Sequence, residues 1–121
     1  MKLRKLLESE SISKYVEMVS TDVINKYRTQ SQSRYNPDLE KSIDREGIKE
    51  PLMLIYYVHD HTLGLFDGHH RLDTAMDLSI DEVPAYVELR SSTDSPSVKE
   101  PPKVPVWKGK DYLKPSELGL K

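Results

Sequence analysis

The chemistry of this chain is concentrated in one run, Leu65-Phe66-Asp67-Gly68-His69-His70-Arg71-Leu72-Asp73-Thr74-Ala75. An apolar strand end passes through a glycine into a helix start that carries two imidazoles and a guanidinium. The first turn of a helix leaves backbone N–H groups unpaired at the positive end of its dipole, so anions bind there. Gly68 lets a ligand approach the backbone, and His69, His70 and Arg71 add donors and charge, which makes a phosphate cradle. Thr74, one turn after His70, adds a hydroxyl. Asp67 and Asp73 flank the cradle as the carboxylates that would hold magnesium for nuclease or nucleotide-hydrolysing chemistry, with Asp44 and Glu46 as the other acidic candidates. The plainer alternative makes Asp67 a helix cap and leaves Asp73 and the histidines in solvent.

No metal site of the protein's own is expected. His59 and His61, two apart, project to one side of an extended segment but lack further ligands at supporting spacing. His69 and His70 are adjacent, and adjacent residues at a helix start do not aim at one centre.

The flanking residues supply the elements that must position the cradle. Asn36-Pro37 marks a helix start, with Leu39 and Ile43 as its buried stripe and Gly47 as its stop. Leu52 to Val58 is a near-continuous apolar run, expected of a strand covered on both faces. A turn over His59–Gly64 returns the chain to Leu65-Phe66-Asp67 as a hairpin. The helix that follows turns Leu72, Ala75, Met76 and Leu78 inward, and Val83-Pro84-Ala85-Tyr86-Val87 reads as another strand. Near the N-terminus, residues 2 to 7 read as a short helix, followed after the break at Ser9-Glu10-Ser11 by a second helical piece or an extended segment entering Val23-Ile24. The expected fold is α/β (α+β), a small mixed sheet flanked by helices.

Composition limits the function classes. The chain has 121 residues, 36% hydrophobic and 31% charged, which suits one small, highly solvated domain. It has no cysteine, which excludes disulfides, thiolate metal sites and thiol catalysis. No stretch reaches membrane-spanning length, so no membrane partner is expected. Residues 1–7 are too charged for a secretory signal, and a cytoplasmic location is the expectation. Residues 1–90 carry 12 Lys or Arg against 16 Asp or Glu, and residues 91–121 carry 6 against 4. No clear basic stripe is present, so charge disfavours DNA as a partner without removing it; a local patch at Lys26, Arg28 and Arg34 remains.

Order and spacing of these pieces resemble the ParB/sulfiredoxin superfamily. Its pattern is a helix ending in "SI…G…QP", a strand and hairpin, a strand ending in "GERR" or "GCHR", a helix with "A", and a strand beginning "VP". The matching pieces here are Ser42-Ile43, Gly47, Glu50-Pro51, Gly68-His69-His70-Arg71, Ala75 and Val83-Pro84. The resemblance covers roughly residues 20 to 90 and divides the chain into an N-terminal helical extension (1–19), the family domain (20–90) and a Pro- and Lys-rich tail (91–121). It implies that Ser20-Thr21-Asp22-Val23-Ile24 supplies a first strand, and that Gly68, His69, His70 and Arg71 grip the phosphates of a nucleotide, ATP or CTP with magnesium. It also implies that a loop resembling the family's "QPR", here Gln32-Ser33-Arg34, contributes to the pocket; family spacing favours Arg28 instead of Arg34. His69 stands where sulfiredoxins have their cysteine and partition proteins a glutamate, so sulfinic acid reduction is ruled out and the glutamate's role is unfilled. The "ENxxR" helix and helix-turn-helix domain of partition proteins are missing as well.

Three functional readings follow. The first is a nucleotide-binding switch or NTPase. The second is a metal-dependent nuclease or DNA-binding protein, a label that small phage and plasmid members with "DGHHR" commonly carry. The third is a non-enzymatic interaction protein, of phage type, acting on a host factor through residues 91–121. That tail holds five of the eight prolines and the only tryptophan, Trp107, and is expected to dock back through Val104, Val106, Trp107, Tyr112 and Leu113. Ser116 to Leu120 reads as a frayed end or short interaction motif.

Overall fold

The computed structural model describes residues 12–28, 50–91 and 99–120. Within them the protein is a mixed α+β domain, a five-stranded mixed sheet with two helices. In chain order these are β1 (Glu17–Ser20), α1 (Thr21–Asn25), β2 (Leu52–Tyr57), β3 (Thr62–Asp67), α2 (His69–Asp77), β4 (Glu82–Arg90) and β5 (Tyr112–Leu113), followed by a 3-10 turn at Pro115–Leu118. The helix expected after Asn36, the residues 2–7, the 92–98 linker, and the candidates Gln32, Arg34, Asp44 and Glu46 lie outside the described residues.

β2 and β4 form the parallel centre, with Leu52 opposite Ala85 and Leu54 opposite Val87. The expectation for β2 holds, since five of its six residues are buried. β3 returns antiparallel along the other side of β2, with Leu54 opposite Leu65 and Tyr56 opposite Leu63. β4 is long enough that its second edge carries two strands end to end. β1 pairs with its first half (Val19 with Val83) and β5 with its second (Leu113 with Val87).

One face of this sheet makes the main core. Leu52, Leu54 and Tyr56 of β2, Leu63 and Leu65 of β3, and Val83, Ala85 and Val87 of β4 meet Ile24 of α1, Leu72 and Ala75 of α2, and Leu118 and Leu120. The outer edge of β3 is closed by two passing segments, where Leu65 N–H donates to the Tyr27 carbonyl and Leu63 N–H to the Lys99 carbonyl, each at 2.9 Å. On the opposite face Tyr112 packs between Tyr15 and Tyr86, and Arg90 lies 4.7 Å over the Phe66 ring.

Several expectations are corrected, among them the inward turn of Met76, which is exposed. The first strand is Glu17–Ser20, and Thr21–Asn25 is helical. Val23-Ile24 is β-branched and strand-like, but Thr21, Ile24 and Tyr27 are buried at spacings of three, the period of a helix face. The hairpin turn is shorter than His59–Gly64, because Thr62, Leu63 and Gly64 already pair with β2. Ser116–Leu120 is not frayed: Leu118 and Leu120 are buried, and the Glu17 carboxylate accepts from Ser116 N–H at 2.8 Å and Ser116 Oγ at 3.0 Å. The sheet therefore draws strands from outside 20–90. In the tail, Tyr112 and Leu113 dock as expected and Trp107 packs on the core, whereas Val104 and Val106 stay exposed.

Candidate functional site

The start of α2 is set by Gly68, which caps the helix in the left-handed region with φ of 105°. A Cβ at this position would lie 2.8 Å from Leu52 Cγ and 3.2 Å from Arg71 Nη2. Only glycine meets both conditions, a positive φ and a backbone pressed against β2 and the Arg71 side chain. Leu72 N–H closes the first helical hydrogen bond to the Gly68 carbonyl at 2.8 Å, and no side chain caps the preceding N–H groups. Asp67 is therefore not a cap; its carboxylate turns to Arg71.

Two arginines flank this helix start. Arg71, only 16% exposed in its side chain, donates from Nη1 to Glu50 at 3.0 Å and from Nη2 to Asp67 at 3.4 Å. Both carboxylates face solvent, so these are screened contacts that a stronger anion can replace. Arg28, at the exit of α1, is held by backbone pairing beside Leu65. Its side chain is 10% exposed; Nη1 donates to Asp73 Oδ1 at 2.5 Å and to Asn25 Oδ1 at 3.3 Å. Arg28 Nε, Arg28 Nη2, Arg71 Nε and His69 Nδ1 are buried and have no hydrogen-bond partner among the described residues.

Buried guanidinium donors without partners are costly, and each of these two arginines has one or more to offer an anion. His69 and Asp73 share one stripe of α2, one turn apart, with Arg28 against them. Arg71 lies on the other side, about 200° round the axis from His69. Burial pushes the His69 imidazole below its ordinary value, and the Arg28 charge pushes it further; Asp73, a hydrogen bond to the Leu65 backbone and Asp67 oppose the shift. Burial also raises the Tyr86 hydroxyl, with Glu88, Tyr112 and Asp67 adding to the effect and Arg71 opposing it, so Tyr86 belongs to the same electrostatic neighbourhood.

Of the residues expected from the sequence, Gly68, His69, Arg71, Asp67 and Asp73 are gathered at the helix start. His70 is there too, facing solvent, while Thr74 is buried one turn on. Asp67 and Asp73 do not converge, since each is engaged by a different arginine, and no group of three or more His, Asp or Glu that could hold a metal ion occurs among the described residues. His61 pairs through Nδ1 with the Tyr56 hydroxyl at 2.9 Å and His59 packs edge-on to Trp107, so these two histidines serve separate contacts. No protein-family model matches the chain, and the comparison with curated proteins finds no relative.

Proposed function

We propose that the protein is a ParB/sulfiredoxin-type domain that binds a nucleotide through its phosphates at the start of α2. The observation that carries this reading is the unspent Nε of Arg71, buried beside a helix N-terminus that no described side chain caps. A phosphate group that takes the place of Glu50 and Asp67 on Arg71 also meets the open backbone N–H groups of the first turn. Solvent-facing Asp67, displaced from Arg71, is the carboxylate placed to meet magnesium travelling with the nucleotide. Asp73 stays with Arg28 and keeps that guanidinium oriented.

The experiment is calorimetric titration of ATP, ADP, CTP and GTP with magnesium into the wild type and into His70→Ala/Arg71→Ala. Micromolar binding of one nucleotide is expected, weakened by about 2 kcal/mol or more in the double variant, as for lost charge-assisted contacts. No heat with any of the four overturns the reading.

A further inference from the structure

Lys103-Val104-Pro105-Val106-Trp107 crosses the surface without joining a sheet. Val104 and Val106 are 67% and 78% exposed, while Pro105 between them is buried and Trp107 packs on the core. Burial alternating with a period of two belongs to an extended chain with one face down. Pro105 enforces this by fixing its own φ and by barring Val104 from helical backbone. The segment is pinned at both ends: Lys103 N–H donates to the Leu118 carbonyl at 3.1 Å, Lys110 N–H to the Trp107 carbonyl at 3.1 Å, and the Trp107 ring meets His59 edge-on.

Between those pins the backbone N–H and C=O groups of Val104 and Val106 have no hydrogen-bond partner among the described residues. In an extended chain the groups of residues i and i+2 point to the same side, so these four form a short open edge. Pro105 places its missing N–H on the opposite side, where it removes nothing from that edge. A rigid edge topped by two exposed valines accepts another strand by β-augmentation.

Charge selects the occupant. Lys103 and Lys108 flank the edge, both exposed and both without an ion-pair partner among the described residues. An identical segment from a second copy would bring lysines against lysines, whereas a strand with acidic flanks gains at both ends. We infer that residues 103–107 are a docking strand for an extended, acid-flanked peptide segment of a partner protein. None of these residues lies at the α2 site, so the inference stands apart from nucleotide binding.

The test uses the full chain and the peptide Asp-Asp-Val-Thr-Val-Thr-Val-Asp-Asp, followed by amide NMR and hydrogen exchange. Val104 and Val106 amides exchange freely in the unbound protein and become protected when the peptide is added. Val106→Pro, which removes one edge donor at a solvent-facing position, weakens binding roughly fivefold or more with the unfolding temperature unchanged. A version of the peptide with Lys in place of Asp fails to bind. The inference is overturned by an absence of protection at millimolar acidic peptide, or by equal binding of the lysine version. It is equally overturned by protection already present in the free protein, including protection that grows with protein concentration and so marks a second copy on the edge.

Discussion

Arg28 and Asp73 are 45 residues apart in the chain and joined at 2.5 Å, tying the exit of α1 to the second turn of α2. The pair is unequal, because Arg28 is nearly enclosed and Asp73 is about one-third exposed. Removing the acid strands a buried guanidinium, while removing the arginine leaves a carboxylate that water can reach. Asp73→Asn is therefore expected to cost about 2 kcal/mol, and Arg28→Met less, as measured by denaturant midpoints at constant slope. Equal losses from the two substitutions would contradict this account.

Gly68→Ala should be among the most damaging single-methyl changes in the protein. It combines a positive φ with a Cβ 2.8 Å from Leu52 Cγ, so about 2 kcal/mol or more is expected, with amides of the first turn of α2 losing exchange protection first. A stability loss below about 0.5 kcal/mol would show that the turn relaxes freely.

His69 gives stability a pH dependence of definite sign. Its folded-state imidazole is held below the ordinary value near 6.5, mainly by burial and then by Arg28, so the unfolded chain binds the proton more readily. Stability from this group is fully present above the ordinary value and declines as pH falls below it, levelling only beneath the depressed folded value. Between pH 8 and pH 5 the urea midpoint of the wild type should fall further than that of His69→Gln, which lacks the titrating imidazole. A parallel pair of curves would remove His69 as the source.

The tail residues belong to the core, so Leu118→Ala is expected to cost about 3 kcal/mol, and a chain ending at residue 98 should lose cooperative unfolding. Thermal melts followed by circular dichroism decide this; an unchanged transition in the shortened chain would mean that residues 99–120 merely rest on a complete domain.

Local pattern explains what could be read beforehand. The apolar run at Leu52–Val58, the alternation at Val83–Val87 and the glycine at the start of α2 carry their structure in neighbouring residues. β1 was displaced toward Val23-Ile24 because β-branched residues suit a strand until tertiary contacts select the helical face of Thr21, Ile24 and Tyr27. Leu113 is readable as a docking residue, but nothing local states that it pairs with Val87, and Leu118 and Leu120 are hidden in a Pro- and Lys-rich tail. At the site, Gly68 to Arg71 was legible from residue type. Arg28 was reachable only through spacing, and its engagement by Asp73 is a long-range fact with no local signature.

The shared edge of β4 also constrains the order of assembly. β1 has no partner until Glu82–Ala85 exist, and the stretch at Val87-Glu88 stays open on that edge until Tyr112-Leu113 arrive. The Glu17 carboxylate waits for Ser116, 99 residues later. A chain without residues 112–120 presents an unpaired β-edge and an unfilled core to its surroundings, the kind of surface that chaperones bind and that aggregates.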